Sequence, residues 1–447
     1  MTKLIEKKQQ YRRDIMKIIW QAIDSVNPEN AVGKYFKLKY ENLHVGDRVI
    51  DLSNINDIYV IGAGKASPLM AKVSEDILMK RLTGGQICTK YGHGTPLHNL
   101  TIMEAGHPVP DKNSKLCAQR ALNLANSCEE NDLLICLLSG GASAIWTAPC
   151  PPITLDEKIQ TTEVLLACGA DIHEINTVRK HISNIKGGYL AQAAHPATVV
   201  TLAISDVVGD NFASIGSGPT VGDPSTFKEA LDVINKYDLA EKLPRSVLDR
   251  ILDGYGKQIN ETPKPSNEAF IKNTEVIIGS NIQALDAAQN TARYLGYRVN
   301  IYSSRLTGEA REIGPKMIEK AKKMSKSIRP GEKPIVLLSG GETTVTLQGN
   351  GKGGRNQEMA LAAAIAMEGH DNMMFASIGT DGTDGPTDAA GAFADGTTVG
   401  AGKDSGMEAE NYLKDNNSYE YFDNIQGLIR TGPTGTNVMD IQVLIIG

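Results

Sequence analysis

Three glycine-rich stretches of the 447-residue chain carry cations where a ligand's negative charge would be met. Lys65 lies inside Gly62-Ala-Gly-Lys-Ala-Ser67. Arg179 and Lys186 belong to Asn176-Thr-Val-Arg-Lys-His-Ile-Ser-Asn-Ile-Lys-Gly-Gly188, and Lys352 and Arg355 to Gly349-Asn-Gly-Lys-Gly-Gly-Arg-Asn-Gln-Glu358. A glycine turn that opens a helix leaves backbone N–H groups unpaired at the positive end of the helix dipole, which is an anion site. A guanidinium beside such amides suits bidentate binding of phosphate or carboxylate. Acidic groups complete the set. Asp206 ends the apolar run Val199-Val-Thr-Leu-Ala-Ile-Ser-Asp206, and Asp381, Asp384 and Asp388 fall within Gly379-Thr-Asp-Gly-Thr-Asp-Gly-Pro-Thr-Asp388. A carboxylate at the end of a buried parallel strand is placed for a ligand or a metal, although the loop does not have EF-hand spacing.

Each of these features also has a local explanation: a solvated turn lysine, a wet helix face, Asp206 capping a helix. Known nucleotide fingerprints do not decide the matter. A Walker A loop ending at Lys65 needs glycine at position 59 and Ser or Thr at 66, where the chain has Tyr59 and Ala66. The dinucleotide pattern fails at its third glycine, which is Ser67.

The elements that must hold these groups announce themselves by repetition. Leu-Leu-Ser-Gly-Gly occurs from Leu137 to Gly141 and again from Leu337 to Gly341, each time after an apolar run. Such runs read as strands buried on both faces in a parallel sheet. The Ser-Gly-Gly triplets, Ser139, Gly140, Gly141 and Ser339, Gly340, Gly341, then read as two ligand-facing loops. Strand and glycine turn recur at Glu275–Asn281, and the strand ending at Asp381 echoes the one ending at Asp206. The order of parts predicts two Rossmann-like α/β domains with mainly parallel sheets facing a central cleft. Residues 4 to 27 form an amphipathic packing helix. The polar, proline-bearing stretch near 260–267 places the boundary. The expected division is 1–262, a linker 263–274, and 275–447.

Composition narrows the function classes. The net charge is −6 with no basic block, which argues against nucleic acid as a partner. No stretch reaches the roughly 18–20 consecutive apolar residues of a membrane span. Six cysteines without C-x-x-C spacing and no export signal suggest a reduced, cytoplasmic protein. Association of identical copies stays open.

Taken together, GAGKAS, EAGHPVPD, LLSGGASA, NTVRKHISNIKGG, SGGETTVTLQGNGKGGRNQE and IGTDGTDGPTDAAG resemble the glycerate 2-kinase family over nearly the whole chain. The family has a Rossmann-like amino-terminal domain and a MOFRL carboxyl-terminal domain. The resemblance implies ATP-dependent phosphorylation of D-glycerate at the C2 hydroxyl, with Mg²⁺. It places Lys65 and Arg355 on the transferring phosphoryl group from opposite domains, and Asp206 and Asp381 on the attacking hydroxyl or the metal, with Asp384 a further metal ligand. Gly62, Gly64, the two Ser-Gly-Gly triplets, Ser143, Arg179, Lys186, Glu342, Lys352 and Asn356 would bind nucleotide or glycerate. Replacing Lys65 or Arg355 by Ala is expected to abolish turnover and leave the fold intact. Some relatives carry the label hydroxypyruvate reductase, so an NAD(P)H-dependent reductase is the alternative.

Overall fold

Between residues 28 and 278 the chain builds a small antiparallel meander of β1 (Phe36–Lys39), β2 (Asn42–Val45) and β3 (Arg48–Asp51), then a six-stranded sheet. The sheet strands are β4 (Ile58–Ala63), β5 (Gly84–Lys90), β6 (Thr101–Ala105), β7 (Leu133–Leu138), β8 (Thr198–Ile204) and β9 (Thr274–Gly279). Their spatial order is β6-β5-β4-β7-β8-β9. The strands from β4 to β8 all run parallel. The chain moves outward from β4 to β5 and β6, returns to β7 on the other side of β4, and continues to β8. The reversal between β4 and β7 is the topological switch point of an open α/β sheet, where ligands bind beyond the carboxyl ends of the strands. All six residues of β7 are buried, as its continuous apolar sequence requires.

The second sheet contains β10 (Arg298–Leu306), β11 (Ile335–Gly341), β12 (Met373–Gly379), β13 (Gly391–Asp395), β14 (Leu428–Ile429) and β15 (Asp440–Ile446), in the order β10-β11-β15-β12-β13-β14. Only β10 and β11 pair in parallel, and the other four pairings are antiparallel. The expectation of two mainly parallel sheets therefore holds for one sheet and is corrected for the other, which is mixed. Parallel neighbours need a crossover of a dozen or more residues, usually helical. The segment joining β12 to β13 has no helix, and β15 comes from the chain end to insert between β11 and β12.

The computed structural model describes residues 2–329 and 331–447. The chain separates into one unit of Pro28–Ile278 and another of Met1–Asn27 with Gly279–Gly447. This differs from the division expected from the sequence. The helix Thr2–Ser25 packs with the carboxyl-terminal residues, because Ile15, Ile18, Ile19 and Ala22 bury their stripe there without exposure. Tyr297 Oη donates to Asp14 at 2.7 Å, and Lys8 pairs with Asp395 at 3.4 Å. The stretch near residue 262 is no loose tether either. Asp223 N–H donates to Pro263 O at 2.7 Å, and Thr262 Oγ1 donates to Asp223 Oδ2 at 3.0 Å. The predicted strand at 275 is β9, on the first sheet, so the expected internal repeat stops there.

Candidate functional site

At the switch point two turns are laced together. Lys65 N–H donates to Gly140 O at 2.9 Å, Ala66 N–H to Ser139 Oγ at 3.0 Å, and Ser67 Oγ lies 3.2 Å from Ser139 Oγ. Gly64, at φ +134, touches Ser139 so closely that no Cβ would fit. Gly62, inside β4, is likewise pressed against Leu137 O. These glycines let the β4 and β7 turns touch. Among the described residues, the N–H groups of Gly140 and Gly141 have no partner. Lys65, half-buried, follows the turn and precedes the helix Ser67–Leu78. His107 lies against Gly141. Burial first, then the charges of Lys65, Lys90 and His93, bring its pKa to about 4, so at neutral pH it is an uncharged imidazole. Asp206, half-buried, leaves the carboxyl end of the adjacent β8.

Two residues beyond Gly141, Ser143 is surrounded by positive charge. Lys186 Nζ donates to Ser143 O at 2.8 Å and Oγ at 3.0 Å, and Arg179 Nη2 also donates to Ser143 Oγ. Ser217 Oγ closes the group at 2.8 Å from Ser143 Oγ. Lys158, from the helix Leu155–Ala167, is buried nearby. Among the described residues none of the three cations is paired with a carboxylate. Burial followed by the charge of Arg179 brings Lys158 to about 7. Burial alone brings Arg179 to about 10, and Lys186 lies well below the ordinary lysine range from burial, then Arg179 and Lys158. The effective penalty for burying a charge is several kcal/mol per ion before any pairing. A site of this kind attracts an anion.

In the other unit the charged groups are organised differently. The Gly-rich stretch ends at Gly354, and Arg355 begins the helix Arg355–Ala366. Its guanidinium grips buried Asp440 with two hydrogen bonds, Nε to Oδ2 at 2.7 Å and Nη2 to Oδ1 at 2.9 Å, and Nη1 reaches Glu342 at 2.9 Å. Burial would lower the Arg355 pKa, but Asp440 and then Glu342 push it above its ordinary value. Asn356 Nδ2 donates to Asp440 Oδ1 at 2.9 Å. Asp384 caps the same helix, accepting the N–H of Asn356 at 3.1 Å and of Gln357 at 2.9 Å. Burial raises the Asp384 carboxyl to about 6 against the pull of those two amides. Asp381, after β12, accepts from Thr383 N–H and Oγ1, both at 3.0 Å. Lys352 is exposed, with its ammonium 4.4 Å from the centre of the Tyr419 ring.

Several sequence expectations change here. Ser339, Gly340 and Gly341 are not a loop but the last residues of β11, paired with Gln442, Ile441 and Asp440 of β15. Ser339 Oγ is buried and donates to Gln442 Oε1 at 3.0 Å. Their backbone groups serve the sheet, so only the first Ser-Gly-Gly presents open amides. Asp384 is a poor metal ligand, since both its oxygens receive backbone N–H groups of the helix. Among the described residues no three His, Cys, Asp or Glu side chains gather as a metal site. Magnesium commonly binds through one or two carboxylates plus substrate phosphates; Asp206 follows β8 in one unit and Asp381 follows β12 in the other. Arg355 cannot be removed innocently, because Asp440 would remain buried without its partner. Lys158 escaped sequence reading altogether, since a lysine in Thr154-Leu-Asp-Glu-Lys158 looks like any solvated helix residue.

Two family profiles match the chain: the domain of unknown function DUF4147 over residues 14–252, and the MOFRL family over residues 335–440. The glycerate 2-kinase of Pyrococcus horikoshii is 42% identical over 96% of both chains. The D-glycerate 2-kinase of Thermotoga maritima is 41% identical over 96% of this chain and 97% of its own. A protein of Agrobacterium vitis named provisionally as a hydroxypyruvate reductase is 41% identical over 87% of this chain and 99% of its own. The crystal structure of glycerate kinase from Thermotoga maritima superposes with a TM-score of 0.86 at 39% identity, covering 98% of this chain and all of that one. Among the described residues no helix is long and apolar enough to cross a membrane.

Proposed function

The chain belongs to the glycerate 2-kinase family, and on that premise we propose that it transfers the terminal phosphoryl group of ATP to the C2 hydroxyl of D-glycerate, giving 2-phosphoglycerate and ADP. The observation that carries the reading is the positively charged switch point. Open amides of Gly140 and Gly141, Lys65 on the neighbouring turn, and the cations around Ser143 lie at one end of one sheet. Phosphoryl transfer asks a protein mainly for positioning and for stabilisation of charge on the transferring group.

In this mechanism the glycerate C2 oxygen attacks the terminal phosphorus as the bond to the ADP oxygen breaks, and the hydroxyl proton leaves to a carboxylate. Lys65 and Arg355 stabilise charge on the transferring oxygens. Asp206 and Asp381 orient the hydroxyl and take its proton; they are also the residues that would hold Mg²⁺, which would supply neutralisation of phosphate charge. Arg179, Lys186 and Ser143 receive an anionic group of substrate or nucleotide. Glu342 and Asp440 keep the Arg355 guanidinium oriented.

The deciding assay supplies ATP, Mg²⁺ and D-glycerate and resolves 2- from 3-phosphoglycerate. Oxidation of NADH or NADPH by hydroxypyruvate, with no ADP formed, would replace the kinase with the reductase. Lys65→Met should lower kcat by about 10³-fold or more, as loss of a charge-stabilising clamp does, with Tm unchanged. Near-normal kcat in that variant would remove Lys65 from the mechanism.

A further inference from the structure

Lys158 lies outside every glycine-rich stretch, yet it is buried close enough to Arg179 and Lys186, the two basic groups on Ser143, for their charges to act on one another. Its side chain is 2% exposed, it experiences the charge of Arg179, and Lys186 experiences the charge of both. Among the described residues its ammonium has neither a hydrogen-bond partner nor an ion pair, and Arg179 Nε is buried without a partner. Lys180 gives the contrast. It follows Arg179 in the same helix and is also buried, but Asp223 meets it at 3.2 Å. The fold thus supplies a counter-charge to Lys180 and withholds one from Lys158, Arg179 and Lys186. The neutral oxygens of Ser143 and Gly216 that Lys186 reaches do not offset a net charge. Cations buried without counter-ions cost stability, and a ligand that brings the missing negative charge recovers it.

We propose that Lys158, Arg179 and Lys186 form a pocket for a phosphate oxyanion, with Lys158 a ligand-binding residue and not a structural one. A carboxylate brings one negative charge and two acceptor oxygens to three basic side chains. A phosphate monoester brings about −1.5 to −2 at pH 7 and three acceptor oxygens, enough to engage the guanidinium and both ammonium groups together. The inference rests on reading this unit as part of a phosphotransferase, which offers two sources of that group: the nucleotide's terminal phosphate and the phosphate of the product ester.

The test compares the full-length wild type with Lys158→Met, close in shape and uncharged. Thermal unfolding is followed without ligand and in titrations of inorganic phosphate, ATP, ADP, 2-phosphoglycerate and D-glycerate. Without ligand, Lys158→Met should melt higher than wild type, because a buried uncompensated charge is gone. Its affinity for inorganic phosphate should fall at least tenfold, while its response to D-glycerate changes little. Loss confined to ATP and ADP assigns the pocket to the nucleotide, and loss confined to 2-phosphoglycerate assigns it to the product. A variant that melts lower, or that keeps wild-type affinity for phosphate, overturns the proposal, as does an equal loss for D-glycerate. These readouts are binding measurements. A wild type that binds phosphate through Lys158 but makes no ADP would sink the kinase reading alone.

Discussion

Arg179 lies in the last turn of the helix Ile172–His181 and Arg355 starts the helix Arg355–Ala366, and the fold treats their charges in opposite ways. Arg355 is held by Asp440 and Glu342, so its charge is matched before any ligand arrives. Arg179 shares Ser143 with Lys186, with Lys158 close by, and no carboxylate joins them among the described residues. The first arrangement fixes the direction of one guanidinium. The second keeps a positive potential in reserve. A carboxylate at an anion site competes with a ligand, whereas a guanidinium that donates two hydrogen bonds to one acid, as Arg355 does to Asp440, is fixed in direction. Burying unmatched charge lowers stability, and that is the cost of a ready site.

The sharpest way to break this comparison is Arg355→Ala. It strands Asp440, which is fully buried, and should destabilise the protein by about 3–5 kcal/mol, the loss seen when one partner of a buried pair is removed. The earlier expectation of an intact fold is therefore replaced by a lower Tm. Urea unfolding measures the effect, and adding Asp440→Asn to Arg355→Ala should recover part of it. No change in stability would mean that the pair is not matched as described.

A smaller effect tests the unmatched side through pH. Lys158, brought to about 7 in the folded protein, has an ordinary pKa of about 10.4 once unfolded. Between those values the unfolded chain binds the extra proton, so stability rises with pH through this window, by up to about 1.4 kcal/mol per pH unit. Below about pH 7 both states are protonated and the burial penalty is present in full. The quantity to read is the difference between wild type and Lys158→Met, since burial pushes the Cys128 and Cys150 thiols up and their contribution runs the other way. A flat difference from pH 7 to 9 would show that Lys158 is paired or solvated. The smallest effect belongs to exposed Lys352 on the Tyr419 ring: Lys352→Ala should cost about 0.5–1 kcal/mol of stability. A loss like that of Arg355→Ala would erase the distinction between an exposed cation and a gripped one.

The family could be read from its motifs, and the α/β class and the β4 and β7 turns could be read from the chain because local rules govern them. A buried parallel strand must be apolar throughout, and a turn that approaches its neighbour closely must be glycine. The same rules misread the second Leu-Leu-Ser-Gly-Gly. Whether a glycine pair turns or stays in a sheet depends on the strand beside it, and that strand, β15, lies about a hundred residues away in sequence.

By itself, then, the sequence determined which groups can carry charge and which strands end in glycine turns, since propensity and burial pattern act over a few neighbours. Tertiary structure alone decided which charges are matched. The pairing of Arg355 with Asp440, the diversion of Asp384 to a helix end, the burial of Lys158 beside Arg179, and the docking of the first helix against residues 279–447 all join parts distant in sequence. The energy of a charge depends on what stands within a few ångströms of it and how little water remains there, and the fold sets both.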